Sequence, residues 1–75
     1  MIIKSSRHAK RREKLYDIPE ITIEKILADL DLHDGEYELT KDVPGFEYPI
    51  KIVISVENNI ITVITNYPLK KGRSQ

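Results

Sequence analysis

Apolar and polar positions change their period along the chain, and the changes mark out its elements. Ile2-Ile3-Lys4 reads as a short first strand. Ser5 or Ser6 can cap a following helix, because a hydroxyl accepts a bond from a free first-turn N–H. That helix is expected over Arg7 to Tyr16, polar on most sides, with Ala9, Leu15 and Tyr16 as its apolar positions. Asp17-Ile18-Pro19 ends it, since proline disfavours a helical residue before it. Ile23, Ile26, Leu27 and Leu30 then follow helical spacing behind a Thr22 cap, which predicts a second helix over Thr22 to Asp31. His33-Asp34-Gly35 reads as a turn.

From there the period is that of strands. Tyr37 to Thr40 is a short one, and Pro44-Gly45 breaks it from the next. Tyr48 to Val56 and Ile60 to Tyr67 are β-branched runs joined through Asn58-Asn59, a pair that tolerates the positive φ of a two-residue hairpin turn. That turn puts Ile50, Ile52, Ile54 and Val56 on one face with Tyr67, Thr65, Val63 and Ile61. Pro68 stops the last strand, and Lys70 to Gln75 is expected to be a frayed basic tail. The pattern predicts an α+β fold whose helices cover one face of an antiparallel sheet. Its expected core is Ile23, Ile26, Leu27, Leu30, Ile52, Ile54, Ile61 and Val63.

Composition narrows the class. Seventy-five residues, with no repeat and no linker, allow one domain over 1–75. The 40% hydrophobic and 32% charged content is that of a globular chain and argues against a disordered one. No apolar run approaches about 18 residues and the first residues have no signal-peptide core, so a cytoplasmic site with no membrane contact is expected. Without cysteine there is no disulfide, thiolate metal site or cysteine nucleophile.

Charge changes the picture more. The formal net charge is zero. Yet residues 1–16 set Lys4, Arg7, Lys10, Arg11, Arg12 and Lys14 against Glu13 alone, and residues 17–47 set ten acids against Lys25 and Lys41. The last 28 residues are basic again, with Lys51, Lys70, Lys71 and Arg73 against Glu57. If the two ends meet, a basic face forms on a neutral protein, and such faces attract phosphates. Arg7, Lys10, Arg11, Lys70 and Lys71 are its expected RNA contacts.

Asp29, Asp31 and Asp34 before Gly35 have the wrong spacing for a calcium loop, with Thr40 where the distal Glu belongs. His8 and His33 lack metal-ligand spacing, and three glycines cannot build a phosphate loop, so neither metal nor cofactor is expected. What remains is His8, Arg11, Arg12, Thr65 and Tyr67. His8 and Arg12 are one helical turn apart, and Thr65 and Tyr67 are two apart on a strand. An imidazole to move a proton, a guanidinium to clamp a phosphate and a hydroxyl to orient it suffice for metal-free RNA cleavage by the ribose 2′-OH.

The run Arg7-His8-Ala9-Lys10-Arg11-Arg12, a short second helix, an acidic stretch and the closing Thr65-Asn66-Tyr67 strand resemble a family of small prokaryotic domains of unknown function. Its marks are an N-terminal His-Ala-x-x-Arg helix and a final Thr-x-Tyr strand. That family looks like part of the Barnase–EndoU–Colicin–RelE nuclease superfamily. The resemblance implies two N-terminal helices on a three- to four-stranded antiparallel sheet, RelE-like, with the active face where the first helix meets the last strand. It carries His8 and Arg12, with Thr65 and Tyr67, onto that face as catalytic residues. This chain departs from the pattern at Tyr16, where the family often has Arg, and at Asp17-Ile18-Pro19, where it has Arg-Gly-Ile. Two function classes follow. One is a toxin-like, metal-independent ribonuclease of the mRNA interferase type, held by a cognate antitoxin-like protein. The other is a non-catalytic RNA-binding or protein-interaction module. A homodimer that masks the basic face is compatible with either.

Overall fold

The computed structural model describes residues 2–69. Its elements run β1 (Ile2–Ser5), α1 (Arg7–Tyr16), α2 (Glu20–Ala28), β2 (Gly35–Lys41), β3 (Ile50–Glu57) and β4 (Ile60–Pro68). The four strands form one sheet in the order β1-β4-β3-β2, with both helices on one face: an α+β fold. The Lys70–Gln75 tail, and with it Lys70 and Lys71, lies outside the described residues.

Local chemistry accounts for the elements. Ser6 caps α1, its Oγ accepting the Ala9 N–H at 3.0 Å. Asp17 closes α1 in the left-handed conformation, its N–H bonding back to the last turn. Pro19, not Thr22, is the N-cap residue of α2: its fixed φ of −65° suits an entry into helix, and α2 starts three residues earlier than the Thr22 cap implies. It also stops at Ala28, so Leu30 falls beyond it and, like Ile26, is half-buried. Asn58 and Asn59 both take positive φ, 52° and 67°, and close the β3–β4 hairpin in two residues. The Asp34 carboxylate accepts the Asn58 N–H at 3.2 Å, so this acid braces the hairpin turn.

The core is Ala9, Ile18, Ile23, Leu27, Ile50, Ile52, Ile54, Val56, Ile61 and Val63. It joins the two inner strands to the inward faces of both helices.

Two features correct the antiparallel expectation. First, the sheet is mixed: β1 runs parallel to β4, from Ile2 beside Ile60 to Ser5 beside Val63. β3 occupies one edge of β4 and leaves the other free, and the short N-terminal strand takes it. Second, the hairpin is regular only near its turn. Val53 pairs with Thr65 and Ile54 with Val63, which leaves Ile64 as an extra residue in a β-bulge. Beyond it the side chains of β4 change phase, so Asn66 and Pro68 share the helix side with Ile52 and Ile50, in place of the expected Thr65 and Tyr67. Ser6 braces the bulge, its hydroxyl donating to the Ile64 carbonyl at 2.9 Å and its N–H to that of Val63 at 2.9 Å.

Candidate nucleic-acid interface

The first helix owes its position to one small residue. Ala9 is fully buried and lets α1 lie close on β4, with Glu13 one turn further on and also buried. Arg12 and Tyr16 are half-buried, while Arg7, His8, Lys10, Arg11, Lys14 and Leu15 are exposed. At 3.6 residues per turn, the exposed arc therefore consists of basic groups and Leu15. The helix has a single acid, and that acid is turned inward. Its first turn contains no acid either, so Arg7 and Lys10 add positive charge to the positive end of the helix dipole. Such a placement disfavours the free helix slightly and becomes favourable once an anion lies against it. The acidic strand β2 is at the far edge of the sheet from β1, so basic and acidic surfaces are separated in space as well as in sequence.

Two of the four residues expected to form a catalytic site are together. Arg12 Nε donates to His8 Nε2 at 3.4 Å, and Arg12 Nη1 donates to the Tyr16 hydroxyl at 3.3 Å. One guanidinium thus ties His8 and Tyr16 into a string along α1, with Tyr16 standing where the resemblance would place an arginine. Thr65 and Tyr67 do not join them. The bulge at Ile64 sends both to the open face of the sheet, where Tyr67 stands opposite Lys51 and Thr65 opposite Val53. Lys51 makes an ion pair with Glu38 at 3.0 Å, and this hydrogen bond, with the Glu38 charge, holds its ammonium above the usual lysine value. The register therefore directs Tyr67 to the face opposite the one on which α1 packs, while His8 and Arg12 stand on α1 itself.

What α1 does meet on β4 is Asn66, fully buried, whose Nδ2 donates to the Glu13 carboxylate at 3.0 Å. Burial, aided by the charges of Glu20 and Glu24, pushes the Glu13 carboxyl above its ordinary value against the Asn66 bond and Lys10. Asn66 Oδ1 is buried without a partner. The pair sits beside an open groove of about 430 Å³ lined by Lys10, Glu13, Lys14, Asp17, Ile18, Pro19 and Glu20. Among the described residues no group of three or more His, Cys, Asp or Glu is placed to hold a metal ion. Sequence reasoning passed over both Glu13 and Asn66. Glu13 carried one signal, being the lone acid in a basic run at helical spacing from the apolar Ala9.

The pair sets a pH dependence. Glu13 is harder to ionise folded than unfolded. Its contribution is therefore most favourable below the ordinary value of 4.5 and declines as pH rises through the raised folded value. Glu13→Gln keeps the acceptor for Asn66 Nδ2 and offers an amide N–H to Asn66 Oδ1. Urea unfolding of both proteins across this range should show wild type losing stability relative to the variant as pH rises. Parallel curves would mean that Glu13 ionises as freely in the fold as in water.

No family model, curated protein or solved structure matches the chain. No helix among the described residues is long and apolar enough to cross a membrane.

Proposed function

We propose that the chain is a non-catalytic RNA-binding module whose contact surface is α1. The observation that carries this reading is the sorting of charge on that helix: the basic side chains line its solvent side and the only acid is buried. Arg7 and Arg11 stand one turn apart at the crest of the exposed arc, with Lys10 and Lys14 on one flank and His8 and Arg12 on the other. Guanidinium forks spaced along a helix suit successive phosphates of a strand. RNA is chosen over other polyanions from the family resemblance of the helix motif. Cleavage by His8, Arg12, Thr65 and Tyr67 acting together is not part of this reading, because Thr65 and Tyr67 face the open side of the sheet and α1 packs on the other.

The test is the salt dependence of binding to a labelled single-stranded RNA. Contact with three to five phosphates predicts a log–log slope between about −2 and −3.5, and Arg7→Gln with Arg11→Gln should make it shallower by about 1.4. The RNA should be recovered uncut. A slope near zero, or one that ignores the two substitutions, would remove α1 as a nucleic-acid surface.

A further inference from the structure

Both helices lie on one side of the sheet, and among the described residues no element covers the other side. Register across the four strands defines its rows. Lys4 of β1 stands beside Thr62 of β4, Thr62 beside Ser55 of β3, and Ser55 beside Glu36 of β2. The row is positive at one end, negative at the other and hydroxylic between. The next row sets Thr65 beside Val53 and Glu38, with the extra residue Ile64 at its margin, 37% exposed. Ile60 and Tyr67 continue the apolar stripe along β4, and Ile2 on β1 is 57% exposed. Glu38 is already engaged by Lys51, whereas Lys4 and Glu36 make no ion pair among the described residues.

We infer that this open face is a self-association surface, and that its occupant is a second copy of the same chain stacked sheet on sheet. A two-fold axis parallel to the strands, between β3 and β4, keeps each row in place and reverses its direction. It sets Lys4 of one copy over Glu36 of the other, Thr62 over Ser55, and Val53 over the Ile64–Thr65 bulge. A two-fold perpendicular to the strands would stack each strand on itself, β1 on β1 and β2 on β2, and along this row would set Lys4 over Lys4 and Glu36 over Glu36. The charge layout therefore selects both the partner and the axis. Two stacked sheets cross at about 30° and pack about 10 Å apart, a span that lysine and glutamate side chains bridge at the edges. Zero net charge removes the overall repulsion that would oppose pairing of identical chains. The face measures roughly 19 by 26 Å, small for an obligate interface and suited to a reversible dimer. Pairing leaves α1 of each copy outermost, so the inference stands apart from the RNA reading.

Sedimentation velocity of the full chain, from low to high micromolar concentration, tests this. A concentration-dependent monomer–dimer equilibrium is expected. Ile64→Lys, on a side chain outside the core, should leave the helical circular dichroism intact and yield monomer. Lys4→Glu and Glu36→Lys should each weaken dimerisation about tenfold, and the two together should restore it, because the double swap rebuilds both cross-axis pairs. A monomer at every concentration overturns the inference. So does a dimer indifferent to Ile64→Lys, or one that the double swap fails to restore.

Discussion

Ile54→Ala should cost 2–5 kcal/mol of unfolding free energy, on the order of half of what a domain this size possesses. Ile54 is fully buried on an inner strand, between Tyr37 of β2 and Val63 of β4, beneath the layer that contains Ile23 and Leu27. Truncation removes apolar contact and leaves a space that an inner strand, paired on both edges, closes poorly. Ile54→Val, which removes a single methyl, should cost about 0.5–1.5 kcal/mol. Ile64→Ala, one turn of the pleat away but on the open face, should stay within about 0.5 kcal/mol. Urea unfolding of the three variants measures the series. A loss below about 1 kcal/mol for Ile54→Ala would place the core elsewhere.

Asn66→Asp should be as damaging at neutral pH, through charge and with almost no change in shape. It sets a second carboxylate against Glu13 where the amide now donates at 3.0 Å, in a place where Asn66 is fully buried. Two buried like charges at this separation cannot both ionise cheaply, so the cost at neutral pH is that of keeping one carboxyl protonated, about 1.4 kcal/mol for each unit by which its proton affinity is raised. One carboxyl must take a proton in the fold, so the variant's folded proton affinity lies above the unfolded one. Stability is therefore present in acid and lost as pH rises, with the sign already set by Glu13 alone. Adding Glu13→Gln should recover much of the loss, since the new amide can donate to the aspartate. An Asn66→Asp protein as stable as wild type at pH 7 would show that the two side chains do not meet in a buried setting.

How much of this was legible in the sequence depended on whether the signal was local. The bounds of α1 followed from a serine cap and from Asp17 before Pro19, and the hairpin followed from Asn58-Asn59, each decided by a few neighbouring residues. The direction of β1 was not local: Ile2–Ser5 could have paired on either edge of the sheet, and only its parallel register on β4, flanked by the bonds of Ile2 to Asn59 and Ser6 to Val63, settles it. The candidate site failed at one residue. Ile64 and Thr65 have neither the glycine nor the positive φ that would announce a bulge, so alternation counted from the turn placed Thr65 and Tyr67 toward the helices. His8 beside Arg12 held because helical spacing involves no such count. The inward turn of Glu13 was hidden, since an acid among cations reads as solvated until its burial against Asn66 is seen.

Ile64 also bears on how the last strand would align with another of the same shape. Take it out on paper and Val63 still pairs with Ile54 and Thr65 with Val53, now as consecutive rungs of an unbroken ladder, and Asn66 still meets Glu13. The sheet accommodates this residue by puckering, with every address before and after it preserved. A kindred chain one residue shorter in its last strand would carry the same inner and outer surfaces. An alignment with such a chain belongs with its gap at position 64, where the backbone has already made room, even though the string of isoleucines and threonines around it offers several equally good places to put it.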